Sequence, residues 1–354
     1  MKNKDHQQTG RPLVSVIMTV YNSEAFIAEA IQSILGQTLP DFELLIFNDG
    51  STDDTLAIIQ SIDDERIRPF NYPMQKGPHF RRNQGIAQAE GKYIAIMDAD
   101  DIALPQKLER QVSFLEQHPS VAIVGTQVQL LVDATKRLLR PKPFALGHAS
   151  ILPYMLFYCP FMHSTVMLRT SVLKNYTYPL DFKVGEDYFL WVQILRTHQG
   201  ANLRETLLHY RIHGHNISQK FKSATRSCLT KIFTTQFDYW KIPYSKKELD
   251  LQLLLSDSNT ELLNIEQLIQ IRKWLEKLEQ INKQDPIFSS APFSATLQLV
   301  LLECWLWKVQ RPLDYWNVRE SLLFKSGVSW RDRWRLLRSF VHRLRKSAIA
   351  NASR

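Results

Sequence analysis

Asp98, Asp100 and Asp101 place three carboxylates within four residues, directly after the apolar run Tyr93-Ile94-Ala95-Ile96-Met97. Like charges that close destabilise each other's ionised forms unless a cation lies among them. Oxygen ligands of this kind favour Mg2+ or Mn2+, with substrate phosphates completing the shell. The same acids also read as a solvated turn that caps a helix opened by Pro105. Two further segments are equally polar after short β-branched runs: Thr19-Val20-Tyr21-Asn22 and Asn48-Asp49-Gly50-Ser51. In a parallel α/β sheet, ligands bind outside the carboxyl ends of the strands. Three polar strand ends on neighbouring strands are therefore expected to converge on one crevice.

The elements that must position them follow from hydrophobic spacing. Residues 13–20 read as a strand, after which Ser23 is placed to cap a helix carrying Phe26, Ile27, Ala30, Ile31 and Ile34 at helical intervals. Strands at 43–48, 67–71 and 93–98 alternate with helices at 53–62 and 81–89. That alternation means right-handed βαβ units and a mostly parallel sheet. A helix at 105–117, a strand at 121–132, a basic Pro-containing loop at 136–143, a strand at 164–169, a helix at 186–196 and a last extended segment at 207–212 complete it. The sheet domain is expected to span 12–218. Beyond residue 221 the strand signals stop and amphipathic patterns such as 261–281 and 294–309 take over, so residues 219–354 are expected to be helical. The apolar run 297–307 is interrupted by Gln298 and Glu303 and falls short of the ~20 residues of a membrane span.

The chain resembles glycosyltransferase family 2, the inverting enzymes of GT-A fold. The resemblance is carried by Val14-Ser15-Val16-Ile17-Met18-Thr19-Val20-Tyr21-Asn22, Asn48-Asp49-Gly50-Ser51-Thr52-Asp53, Arg82-Asn83-x-Gly85-Ile86 and Asp98-Ala99-Asp100-Asp101, in the family's order. It implies an α/β fold with a Rossmann-like, mostly parallel central sheet flanked by helices, followed by the smaller α-helical region. It also implies transfer of a sugar from a nucleotide diphosphate sugar to a hydroxyl of a glycan or glycolipid of the cell surface. Thr19, Tyr21 and Glu24 would line the nucleotide pocket and Asp49 would bond the base. A carboxylate accepts from an imide N–H, which uracil presents and cytosine does not, so a UDP-sugar is expected. Asp49 also reads as a cap for the helix at Asp53. Arg82 would lie near the base or the diphosphate, with Lys76 and Arg81 competing for that place.

Asp98 and Asp100 correspond to the D-x-D motif, in which the first acid contacts the ribose or metal and the second holds Mn2+ or Mg2+. Gly185-Glu186-Asp187-Tyr188 resembles the family's E-D motif, which makes Asp187 the general base beside Glu186 on the acceptor side. Asp187 alone reads as a first-turn acid complementing a helix dipole. His163 is assigned to the acceptor-side wall. His213, in Tyr210-Arg211-Ile212-His213, is assigned to the metal or diphosphate.

Composition sets the remaining bounds. The net charge is +9, and residues 325–346 hold eight Lys or Arg against Asp332 alone, so the rest of the chain is near neutral. In that stretch Trp330, Trp334, Leu337, Phe340, Val341 and Leu344 share one helical face flanked by arginines, a pattern suited to an anionic membrane surface. Packing onto the protein's own core and a homo-oligomer contact are the competing readings. Cys159, Cys228 and Cys304 are scattered, and residues 1–11 carry no apolar signal core. A cytoplasmic protein is expected, peripheral on the inner face of the cell membrane if the tail binds lipid. No G-x-G-x-x-G follows the first strand, which disfavours a dehydrogenase. A sugar-1-phosphate nucleotidyltransferase and a basic nucleic-acid-binding protein stand as the alternatives, the latter at odds with charge confined to one stretch.

Overall fold

The computed structural model describes residues 10–214, 222–256 and 263–308. The basic stretch 325–346 and the expected boundary at Ser218 lie outside the described residues. Strand β1 (Val14–Val20) is followed by α1 (Ile27–Leu35), β2 (Phe42–Asp49), α2 (Thr55–Gln60), β3 (Ile67–Tyr72), α3 (Pro78–Gln88) and β4 (Tyr93–Asp98). Strands β2, β1 and β4 are buried along nearly their whole length, as expected of parallel strands covered on both faces. Val14, Val16, Met18 and Val20 of β1 pack with Ile27, Ala30, Ile31 and Ile34 of α1 in the main core. Against the other face lies α3. A Cβ on Gly85 would meet Ile17 Cγ2 at 2.6 Å and Phe47 Cε2 at 3.1 Å, so the missing side chain sets how closely α3 approaches β1 and β2.

The second half of the sheet turns on short strands that periodicity does not reveal. After β4 come β5 (Ile102–Ala103), α4 (Lys107–Gln117), β6 (Val121–Val132), β7 (Arg137–Leu139), α5 (His148–Tyr154), β8 (Met167–Arg169), α6 (Thr170–Leu173), α7 (Glu186–Leu195) and β9 (Gln199–Ile212). The sheet order is β3-β2-β1-β4-β8-β6-β9-β5, with β7 on β6. Strands β3, β2, β1 and β4 run parallel, and so do β6 and β9, whereas β8 is antiparallel to both β4 and β6. Two-residue β5 pairs Ile102 with His209 and Ala103 with Leu208. This short ladder pins the loop after β4 to the far end of β9, bringing Asp98–Asp101 and Arg211–His213 together although more than a hundred residues separate them.

Three local expectations change. Ser23 is not the cap of α1: the N-cap is Phe26, without a side-chain bond, and Ser23 closes the preceding turn, its carbonyl accepting the N–H groups of Phe26 and Ile27 and its hydroxyl donating to the Tyr21 carbonyl. The expected strand at 164–169 begins as a 3-10 turn over His163–Thr165, closed by the Thr165 N–H and hydroxyl donating to the Met162 carbonyl. The last strand starts at Gln199 rather than 207, because it pairs with β6 through three register shifts that break its alternation.

The chain separates into two compact units: residues up to Ile151 with Cys159–Cys228, and Leu152–Tyr158 with Leu229 onward. After β9 come α8 (Lys222–Tyr239), α9 (Lys246–Ser256), α10 (Ile265–Gln284) and α11 (Ser290–Lys308), the last three in the second unit. Gln252 is wholly buried there, donating to the Leu156 carbonyl at 2.6 Å and accepting from the Trp274 indole at 2.8 Å. Helix α10 opens on a reciprocal capping box between Asn264 and Gln267. No described helix is long and apolar enough to cross a membrane.

Gly85→Val should lower unfolding stability by about 1–3 kcal/mol, the usual effect of overpacking a filled core. Urea denaturation measures it, and an unchanged midpoint would mean that α3 does not press on β1.

Candidate functional site

At the ends of β1 and β2 the chain ties itself into a polar rim. Asn22 stands in the left-handed region at φ 47°, its N–H donating to Ser51 Oγ and its side-chain oxygen accepting from the Thr52 N–H. Glu24 accepts the Asp54 N–H at 2.9 Å while its own N–H donates to Asp53. Tyr21 is exposed, and Thr19 lies opposite Asp98 in the β1–β4 register. Asp49 is buried at the end of β2 and accepts from Lys76 N–H at 2.9 Å, Gly77 N–H at 2.7 Å and Arg81 Nε at 2.6 Å. Arg81, itself buried, lies 3.6 Å above the Tyr72 ring and donates to the Met74 carbonyl. Gly50, at φ 78°, lets this loop close: a Cβ there would stand 3.1 Å from Gln75 N. Asp49 thus holds the 74–77 backbone in place and does not cap α2, whose side-chain cap is absent.

The acidic loop after β4 distributes its charges among separate partners. Asp98 accepts from Arg82 at 2.9 Å and Ser164 Oγ at 3.0 Å, and faces His163 Nδ1 at 3.3 Å. Burial alone would raise its pKa, but His163 and Arg82 outweigh burial and hold the carboxyl well below the ordinary range. Asp100 stands 2.9 Å from His213 Nε2, and its pKa is raised by burial and by Asp98. Asp101 is wholly buried; one oxygen accepts the Arg211 N–H at 2.9 Å and the other has no hydrogen-bond partner. Burial and the two neighbouring acids push Asp101 far up. Lys107, also wholly buried with its Nζ unbonded, is pulled down to about 8 by burial, with Asp101 and Asp98 opposing. Arg211 binds the Asp100 carbonyl, Asp133 and Glu29. The expected gathering of three carboxylates about one cation is not what forms. Among the described residues no three His, Cys, Asp or Glu side chains are grouped to hold a metal ion. Arg82 and His163 compensate Asp98, whereas Asp100 and Asp101 stay raised.

Arg82 links this loop to α7. Sequence reasoning set it beside the base or the diphosphate; the structure buries it and turns one outer nitrogen to Asp98 and the other to Glu186, each at 2.9 Å. Glu186 also faces His79 at 3.3 Å. Burial opposes ionisation of Glu186, yet His79, Arg82 and His163 outweigh it and hold the group at about 2. Next to it, Asp187 is pushed up to about 6 by burial and by the Glu186 charge, with His163 and Arg82 opposing. His163, expected on the acceptor-side wall, bridges Asp98 and the Tyr178 hydroxyl, the latter at 3.0 Å. Asn83 fastens Tyr178 through paired hydrogen bonds to its backbone.

Asp98, Arg82, His163, Glu186 and Asp187 therefore form one network and Asp100 with His213 an adjoining pair, while Asp49, Tyr21 and Glu24 belong to the rim of β1 and β2. Sequence reasoning missed His79, Tyr178, Ser164 and Lys107. Only Lys107 left a readable signal. It falls with Leu108, Gln111, Val112 and Leu115 on the buried face of α4, a charge on an apolar stripe.

Comparison with known proteins adds an independent line. The family model described as Glycosyl transferase family 2 matches residues 15–176. An uncharacterized glycosyltransferase of Haemophilus influenzae is 32% identical over 266 residues, covering 72% of this chain and 81% of that protein. The Escherichia coli UDP-Glc:alpha-D-GlcNAc-diphosphoundecaprenol beta-1,3-glucosyltransferase WfaP is 34% identical over 218 residues, covering 60% of this chain and 83% of its own. In fold, the chain is similar to Staphylococcus aureus TarS 1–349 in complex with UDP-GlcNAc, with TM-score 0.54, 18% identity and coverage of 82% and 81%. It is also similar to the mannosyltransferase PcManGT of Pyrobaculum calidifontis in complex with GDP-Man and Mn2+, with TM-score 0.52, 15% identity and coverage of 89% and 86%.

Arg82→Gln should raise the titration midpoint of Asp187 above about 6, because a cation that favours its ionised form is gone while Glu186, still facing His79, keeps its charge. Carboxyl-carbon NMR titration reads this directly, and an unmoved or lowered midpoint would show that Arg82 does not act on Asp187.

Proposed function

The chain belongs to glycosyl transferase family 2, and from that premise we propose that it transfers a sugar from a UDP-sugar to a hydroxyl of a glycan or lipid-linked acceptor, with inversion. The chain is a glycosyltransferase by family. The observation that carries it is Asp187: a carboxyl raised to about 6, joined through Glu186 and Arg82 to the Asp98 of the acidic loop.

On the acceptor side, Asp187 Oδ1 takes the Tyr188 N–H at 2.7 Å, which leaves Oδ2 to receive the acceptor proton. A base titrating near 6 is mostly ionised at neutral pH and still basic enough to draw a proton from a hydroxyl engaged in bond formation. The acceptor oxygen attacks the anomeric carbon from the face opposite the nucleotide, Asp187 takes its proton, and the bonding pair leaves with the nucleoside diphosphate. Glu186, fully ionised at that pH, keeps the Asp187 pKa up without competing for the proton. On the donor side, Asp98 keeps its charge under Arg82 and His163 and is assigned to the ribose. Thr19, Tyr21 and Glu24 are assigned to the nucleotide pocket. Asp49, which accepts from the Lys76 and Gly77 N–H groups and from Arg81 Nε, is assigned to the imide N–H of uracil.

Asp100 and His213 fit a divalent ion. Their facing Oδ2 and Nε2 atoms stand 2.9 Å apart, about the separation of two adjacent ligands when each bond is roughly 2.1 Å. Two protein ligands suit Mn2+ or Mg2+, which commonly take their remaining oxygens from substrate phosphates and water. Such an ion, when bound, would neutralise the departing diphosphate as a Lewis acid. The acceptor named for WfaP is a diphosphoundecaprenol carrier, and a lipid-linked acceptor is the reading adopted for this chain. The nucleotidyltransferase and nucleic-acid alternatives gain no support from the relatives.

Asp187→Asn should leave the donor dissociation constant unchanged while slowing transfer by ~10²–10⁴; a loss of donor affinity would make Asp187 structural. In the wild type, Asp187 must be ionised to act. The transfer rate should therefore be flat above pH 7 and fall about tenfold per pH unit below about 6. A profile without that acid limb would remove the base assignment. Asp100→Ala should abolish Mn2+-dependent donor binding in calorimetry, whereas near-wild-type turnover in Mn2+ would remove the metal assignment. A nucleotide-sugar panel scored by nucleoside diphosphate release tests the donor: release from UDP-sugars is expected, and release from GDP- or CDP-sugars alone would overturn the assignment.

A further inference from the structure

The hairpin between β6 and β7 presents a surface that transfer chemistry does not use. Residues 136–142 read Lys-Arg-Leu-Leu-Arg-Pro-Lys, four cations around two leucines. Leu138 is 46% exposed and Leu139 41%, among the largest apolar exposures of the described chain. Strand β7 pairs only with β6 among the described residues, with Leu131 opposite Leu138 and Val132 opposite Arg137. The turn holds a single acid, Asp133, and that carboxylate is already shared by Lys136 at 2.6 Å and Arg211 at 2.8 Å. The positive charge of Arg137 and Arg140, both exposed, is thus left without an acidic neighbour in the hairpin.

Charged residues on an edge strand have an ordinary use, which is to block pairing with another sheet. That use needs cations but not two neighbouring leucines open to water. Adjacent strand residues point to opposite faces, so Leu138 and Leu139 project from both sides of the ribbon tip, with arginines before and after them. Apolar side chains at a tip ringed by Lys and Arg suit the boundary between anionic headgroups and acyl chains. The position matters as well. Strand β6 pairs Val132 with Ile212 and Leu131 with Arg211 on its other side, so the hairpin tip lies one strand from the segment leading to His213.

We infer that the β6–β7 hairpin is a docking element for an anionic phospholipid surface: Leu138 and Leu139 enter the interface and Arg137 and Arg140 meet lipid phosphates. The element is separate from the stretch 325–346 and independent of the transfer reaction, so loss of either leaves the other standing. Its placement beside the strand that carries Arg211 would bring the acidic loop close to the bilayer surface.

The test uses the full chain with vesicles of 30% phosphatidylglycerol in phosphatidylcholine, and vesicles of phosphatidylcholine alone. Because residues 325–346 also carry charge, the readouts are local or differential. On the anionic vesicles, amide hydrogen exchange within 136–140 should slow, with no change on the neutral ones. R137Q/R140Q should weaken partitioning by roughly 25-fold, since each surface cation contributes about a fivefold factor. L138S/L139S should weaken it about tenfold or more in a way that 0.5 M NaCl does not mimic. Circular dichroism and nucleoside diphosphate release with a soluble acceptor should stay at wild-type levels in both variants. Unchanged partitioning in both, or unaltered exchange at 136–140, would overturn the proposal and leave a solvated edge strand. Equal protection by phosphatidylcholine alone, or by an acidic polypeptide or RNA in place of the vesicle, would overturn the lipid assignment.

Discussion

A single buried guanidinium joins the two halves of the chemistry. Arg82 lies between Asp98, at the end of β4, and Glu186, in the first turn of α7, with one nitrogen for each. A buried cation is tolerable only when paired, and so is a buried carboxylate. Each of the three groups therefore needs the others, and the arrangement fixes strand end against helix start. Its electrostatic consequence is as important as its geometry. Glu186 keeps its charge because Arg82 and His79 face it, and that charge in turn keeps Asp187 poised near 6.

The acidic loop shows the same logic on a smaller scale. Four residues carry three acids, yet each meets a different partner: Asp98 the Arg82–His163–Ser164 set, Asp100 His213, and Asp101 the Arg211 backbone with Lys107 in the buried space behind. What allows this is the two-residue strand β5, whose pairing with β9 holds the loop open between two sheet ends. Asp98 has its counter-charge in Arg82, and the Asp100–His213 pair adjoins it.

The rim of β1 and β2 is rigid for a different reason. Backbone donors dominate it: Asn22, Ser51, Thr52, Glu24 and Asp54 bind across two loops, and Asp49 draws three N–H groups onto itself.

The sequence by itself determined the parallel half of the sheet, because fully buried strands such as Tyr93–Asp98 and amphipathic helices such as Ile27–Leu35 announce themselves through periodicity. Motif spacing also singled out Asp49, Asp98, Asp100 and Asp187 as candidates without any coordinates. It did not determine partners. Strands of two or three residues carry no period, so β5 and β7 were invisible, and the 3-10 turn that delivers His163 and Ser164 to Asp98 looked like the start of strand β8. For Arg82 a sequence lists a charge without showing what faces it. Only the tertiary structure decided that Glu186, 104 residues away, would take its second nitrogen. Ion pairs across such distances are set by which strand ends meet, and that depends on sheet order rather than on local pattern.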